Sequence, residues 1–342
     1  MIRLFRTCGI ALSCGAIVAG GCAGSKATRT ETGTASSGSA GEGESKTRTI
    51  AGTHYSAAEQ AVREGDTERA LEEFQKAIEV NPELVAAHMG IADIYRMRGD
   101  YNRAEQYYGV AAKRQPQNFD AQYYHGLMLH LLDRLTEAIP AYLKALAIRP
   151  GDFKTNLNLA TAYYQLDENA QALPYAKRSV EINPSDGAAR INLGAIYNGL
   201  GRYSDAVKEY QQAAELMPLT PQLLVNLADS LGKLERYEEM ANALTKCVQM
   251  EPSAVACERL GFARFRLAQY DKARQSFEEA TRLDANYYPA LNGLGVSLLN
   301  DWIRGGRKDG ALKDRGTAAL RRSLQINHEQ PQILEILTRY AH

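Results

Sequence analysis

Cys247 and Cys257 lie five residues on either side of Pro252. Thiols so placed could close a disulfide if a turn at the proline sets two antiparallel helices face to face. An oxidising compartment would permit that bond, and two buried free thiols are the alternative. Histidine offers less. His54 and His88 stand 34 residues apart, but no cluster of cysteine, histidine and carboxylate joins them into a metal site, and His125 and His130 read as packed or surface side chains. There is no phosphate-binding glycine loop, no G-x-S-x-G elbow and no H-E-x-x-H helix, so neither a cofactor nor an enzyme is expected. The remaining place for catalysis is the stretch from Asp301 to Gly316, where five basic residues face Asp301, Asp309 and Asp314 without a nucleophile and base pair. It is expected to be an exposed, mobile loop, with Trp302 either covering the end of the preceding helix or anchoring a partner.

These residues must be held by something, and the prolines show what. Pro82, Pro116, Pro150, Pro184, Pro218 and Pro252 fall on one 34-residue period. Ala70, Ala104, Ala138, Ala172, Ala206 and Met240 stand twelve residues before them, and Phe74, Tyr108, Tyr142, Ala176, Tyr210 and Leu244 stand eight before. Ala77, Ala111, Ala145, Ser179, Ala213 and Cys247 follow at five before. Spacings of i, i+4 and i+7 mark one face of a helix. Leu159, Ala160 and Tyr163, repeated as Leu193, Gly194 and Tyr197, mark a helix ahead of it, so each unit is a helical hairpin. Gly65, Gly99 and Gly201 supply the turn inside the hairpin, Thr136 and Ser204 are candidate N-caps, and Pro140 and Pro174 are expected in the first turn of second helices.

The order of small, aromatic, small and proline over 34 residues resembles the tetratricopeptide repeat (TPR). It covers about 51–342, with eight repeats starting near Ala51, Val85, Phe119, Phe153, Gly187, Pro221, Ala254 and Tyr288. The sixth repeat is one residue short, the eighth has an overlong inter-helix segment, and Ile333, Leu334, Ile336, Leu337 and Tyr340 form one side of a closing helix. The resemblance implies an all-α fold, a right-handed superhelical solenoid of about eight hairpins with a C-terminal capping helix. Its concave groove would be lined by first helices. Carried over by repeat position, Tyr123, Tyr124, Asn158, Tyr164, Asn192, Asn198, Asn226, Asp229, Glu258, Arg259 and Asn292 would lie at or near it. Asn158, Asn192 and Asn226 are 34 apart, and a stack of amides can both donate to and accept from a peptide backbone. This is similar to the asparagine ladder of the TPR region of O-linked N-acetylglucosamine transferase. The alternative is that these asparagines reflect family style.

The first 21 residues place Arg3 and Arg6 ahead of an apolar run from Cys8 to Val18, followed by Ala19, Gly20 and Gly21 before Cys22. The run is shorter than the ~20 apolar residues of a membrane span. It resembles a bacterial lipoprotein signal, although Ala19 stands where that family usually has a larger aliphatic residue. The resemblance implies cleavage at 1–21, lipidation of Cys22 and, with Ala23 in place of aspartate, an outer-membrane anchor facing the periplasm. Cleavage without lipid is the alternative. Residues 22–50 are small and polar and read as a disordered tether, which as a flexible coil would span roughly 30 Å.

Forty basic and forty acidic residues cancel, so no net field draws the chain to nucleic acid, and 45% hydrophobic residues suffice for a folded core. The expected role is a protein–protein scaffold of the cell envelope that holds extended polypeptide or partner domains in the groove. Two alternatives follow. One is a non-catalytic subunit of an envelope polysaccharide synthesis or export complex; the other is a catalytic protein using 301–316.

Overall fold

From the third hairpin on, each first helix begins where a side chain or a proline can start it. The computed structural model describes residues 40–340, all of whose regular elements are helices. In chain order the pairs are α1 (Ala40–Glu64) and α2 (Thr67–Val80), α3 (Val85–Met97) and α4 (Tyr101–Arg114), and α5 (Phe119–Leu131) and α6 (Leu135–Ile148). Next come α7 (Phe153–Gln165) and α8 (Asn169–Ile182), α9 (Gly187–Gly199) and α10 (Tyr203–Leu216), and α11 (Pro221–Lys233) and α12 (Tyr237–Met250). The array ends with α13 (Ala254–Arg266) and α14 (Tyr270–Leu283), α15 (Tyr288–Arg304) and α16 (Gly310–Ile326), and the single helix α17 (Pro331–Tyr340). From the second hairpin to the eighth, each first helix starts at the residue that the repeat reading assigned.

Asn118, Asp152, Asp186, Thr220 and Ser253 cap first helices, each side chain accepting a hydrogen bond from the backbone N–H three residues on. Second helices start differently. Asp66 and Asp100 cap α2 and α4, but Arg134, Arg202 and Arg236 occupy the cap positions of α6, α10 and α12. Each arginine instead clamps the carboxylate three residues ahead, Glu137, Asp205 and Glu239, at 2.6–2.7 Å. Thr136 and Ser204 therefore lie inside their helices rather than at their caps. Pro140 and Pro174 stand in the second turn, one turn deeper than expected. The periodic prolines follow directly on the helix-ending residues Asn81, Gln115, Arg149, Asn183, Met217 and Glu251, where a proline's predecessor disfavours helical ψ.

Rings from second helices fill the wedges. Tyr108, Tyr142 and Tyr210 are fully buried, and Gly126 and Gly194 on the first helices give Tyr142 and Tyr210 their seats. A Cβ on Gly194 would lie 2.7 Å from Tyr210 Cε1. First helices also touch one another across repeats, α5 with α7, α7 with α9, α9 with α11 and α13 with α15. Helices that pack this closely line the inner side of a curved stack, which fixes the concave face.

Two larger expectations change as well. The segment 22–50 was read as a tether, yet it is helical from Ala40 onward, because extending an existing helix escapes the cost of nucleating a new one. The stretch 301–316 is not a long loop: α15 and α16 each run 17 residues, leaving 305–309 between them. The extra residues lengthen both helices by about a turn, and Trp302 packs edge-on against Tyr340 of α17, 6.1 Å between centroids, with Leu299, Ile333 and Leu337 around it. It covers the end of the array. No helix among the described residues is long and apolar enough to cross a membrane.

Candidate functional site

The residues assigned to the groove divide by what they already hold. Asn192 is 3% exposed, and its amide donates to Thr161 Oγ1 at 2.7 Å. Its donor is spent across the junction between the fourth and fifth hairpins, so it does not stand free beside Asn158 and Asn226 for a peptide backbone. Asn158 is half-buried and donates a long bond to the Tyr123 hydroxyl at 3.4 Å, while Asn226 Oδ1 accepts from Gln222 at 2.8 Å. The three asparagines share a repeat position but not an environment.

The tyrosines are similarly engaged. Tyr123 is 9% exposed, stacks parallel to Phe119 and meets Tyr124 edge-on at 5.0 Å, and burial pushes its hydroxyl up to about 12. A ring so enclosed is a wall, not an anchor. Tyr124 is half-buried against Tyr108, with the Arg96 guanidinium 5.1 Å from its ring. Tyr164 is half-buried in the cluster around Tyr210 and Leu193. Asn198 lies at the end of α9, half-buried, with its carbonyl accepting from Gly201. Asn292 donates to Gln330 at 2.6 Å, so the segment leading into α17 closes over that end of the row.

The charged part lies between the sixth and seventh hairpins. Arg259 pairs with Asp229 at 3.0 Å, both about one third exposed. Glu258 is half-buried beside them, and loss of solvent is the main cause that lifts its carboxyl to about 7; Asp229 pushes it further up and Arg259 pulls it down. Asp229 is raised as well, again chiefly by burial. Glu258 can therefore take up or release a proton near neutral pH.

Sequence reasoning missed three members of the face. Thr161 fixes Asn192; Asp93 accepts from Tyr108 at 2.6 Å and from Arg96 at 3.0 Å; and Phe262 is 41% exposed, edge-on to Tyr237. Thr161, Asp93, Phe262 and Asp229 share one repeat position, so reading that column would have found them. His54 bonds to Glu73 and His88 to the Pro82 carbonyl, each with a local partner. Cys247 and Cys257 are free, buried thiols. They are not bridged: Cys247 lies among Leu244 and Ala256 with its thiol donating to the Pro221 carbonyl at 3.7 Å, and Cys257 packs against Ala280 and Ala290. Cys22 lies outside the described residues.

Models of the tetratricopeptide repeat match 55–118, 98–153 and 157–223 in one version, and 221–253 and 254–287 in another. No curated protein matches in sequence. Among solved structures, a chain of the APC/C hetero-tetramer Cut9-Hcn1 is 17% identical with a TM-score of 0.51, over 83% of this chain and 55% of that one. A tetratricopeptide repeat protein from Parabacteroides merdae is 18% identical with a TM-score of 0.49, over 73% of this chain and 99% of its own. YrrB, described as a TPR protein with an unusual peptide-binding site, is 19% identical with a TM-score of 0.49, over 58% and 98%. At 17% identity the likeness to the Cut9-Hcn1 chain speaks to the fold alone.

Proposed function

Because the chain belongs to the tetratricopeptide repeat family, whose domains bind other proteins or peptides, we propose that it is a non-catalytic adaptor holding an extended polypeptide against the row of first helices. The observation that carries this reading is the unspent part of that row. Asn158, Asn198 and Asn226 remain half-exposed in three consecutive repeats, with Phe262 exposed at the far end. Amides offer donors and acceptors to a backbone, and an exposed ring offers apolar area at low entropic cost. Asn192 contributes by locking two hairpins together, so in the fifth repeat the contact falls to Asn198 instead.

The adaptor is further proposed to be held at the outer membrane by a lipid on Cys22, on the strength of the apolar run and the small residues before that cysteine. A partner polypeptide of the envelope follows from that location. Since a neutral hydrogen bond nets only about 0.5–1.5 kcal/mol, single substitutions should be tolerated and combined ones should not. The test is partner retention by an Asn158→Ala, Asn198→Ala, Asn226→Ala triple variant with unchanged helicity and melting. Retention should fall at least tenfold; retention at the native level rejects the reading.

A further inference from the structure

One core position breaks the repeat. In the other hairpins it holds Ala61, Tyr95, Leu129, Tyr163, Tyr197, Leu231 or Leu298, all apolar or aromatic and, apart from the half-buried Tyr163, buried. In the seventh it holds Arg264. The Arg264 guanidinium donates to Ser276 Oγ at 2.7 Å, and Ser276, itself buried, donates in turn to the Lys272 carbonyl at 2.9 Å. No ion pair joins Arg264 to a carboxylate among the described residues, and burial holds its guanidinium below the ordinary value. It stays protonated at neutral pH all the same.

Beside it lies an open pocket of about 200 Å³ lined by Thr245, Val248 and Gln249 of α12, Cys257 and Leu260 of α13, and Gln275, Ser276 and Glu279 of α14. Its lining is mostly apolar. Two of its three helices are second helices, so it is separate from the row of first-helix residues treated above. Glu279 lines the same pocket, but Arg282 holds it through two hydrogen bonds, one of 2.7 Å, and so offsets its charge. The half-buried Arg264 guanidinium gives one hydrogen bond to Ser276 and has no carboxylate partner, which leaves donors for an anion that enters the pocket.

We propose that this cavity is a binding site for a carboxylate carried on a short apolar group, with the anion on Arg264 and the apolar part against Val248 and Leu260. A guanidinium presents a fork that matches a carboxylate with two parallel hydrogen bonds, and such bonds gain strength where water is scarce. Apolar cavities of about 150 Å³ accept a molecule the size of benzene, so the space suits a leucine side chain or a short acyl chain. The carboxylate can come from the C-terminus of a polypeptide or from a free short-chain acid.

The test titrates the whole protein with N-acetyl-leucine, with hexanoate and with their neutral amides, following binding by calorimetry and by the NMR signal of the Arg264 side chain. At least one acid should bind saturably, its amide about tenfold or more weakly, as expected when a charge-assisted pair is lost. Arg264→Leu restores the residue found in three other hairpins, so it should fold, melt higher than the native chain and bind neither acid, whereas Arg264→Lys should keep part of the affinity. Preference for N-acetyl-leucine would identify a chain terminus and preference for hexanoate a free acid. Absence of saturable binding by both acids, equal affinity for acid and amide, or undiminished binding to Arg264→Leu overturns the proposal.

Discussion

Arg259 Nη1 lies 3.0 Å from Asp229 Oδ2 across the junction of the sixth and seventh hairpins, at the same pair of repeat positions that joins Asn192 to Thr161 across the fourth and fifth. One geometry thus serves an ion pair in one place and a neutral hydrogen bond in the other. Both tie neighbouring first helices together along the concave face, so their chemistry sets how that face responds to solution conditions.

The response to pH is expected to come from Glu258. Its carboxyl titrates at about 7 in the folded chain against an ordinary 4.5, so the folded state holds the proton more tightly than the unfolded one. The linked stability is fully present below pH 4.5 and is lost as pH rises from there to 7. After allowance for solvent, the loss is about 1–3 kcal/mol. Denaturant melts at pH 5 and pH 7.5 should show it, and Glu258→Gln should remove most of the difference. An unchanged pH dependence in that variant would refute the assignment.

The turn between helices adopts a left-handed conformation in every hairpin. Gly65, Gly99 and Gly201 do so freely, whereas Asp133, Asp167, Glu235 and Ala268 do so with a Cβ, at φ between 57° and 65°. Aspartate tolerates this region and alanine does not, so Ala268→Gly should stabilise the protein by about 1 kcal/mol. Thermal melting checks it; a lower melting temperature would contradict the strain.

The seat of Tyr210 on Gly194 gives the opposite prediction. Gly194→Ala places a methyl group 2.7 Å from Tyr210 Cε1, too close for both to remain, and should destabilise by about 1–3 kcal/mol. Tyr210→Leu in the same chain should recover part of the loss. Additive losses in the double variant would show that the two residues do not compete for one space.

Much of the fold was legible because the repeat restates itself. Phe119, Phe153, Gly187 and Pro221 open their helices where a period of 34 put them, since the small and aromatic residues that record the packing recur at every turn of the solenoid. What repetition could not reveal was a residue's partner. Asn158, Asn192 and Asn226 look alike in sequence, yet only for Asn192 does a threonine one repeat back bury the amide. The 301–316 stretch misled because its glycines and charges read as a loop, while contacts with α17 reward longer helices.

Lipidation of Cys22 predicts that radiolabelled palmitate enters the native protein and not Cys22→Ala. Equal labelling of both, or labelling of neither, would rule out the anchor.

The claim that first helices form the binding face is tested most directly by photo-crosslinking in intact cells. A photoreactive residue is placed at Asn226 on α11 in one chain and at the exposed Lys208 on second helix α10 in another. Adducts with a discrete polypeptide are expected from position 226 and not from 208. Adducts from 208 alone would put the partner on the second helices and contradict the proposed function.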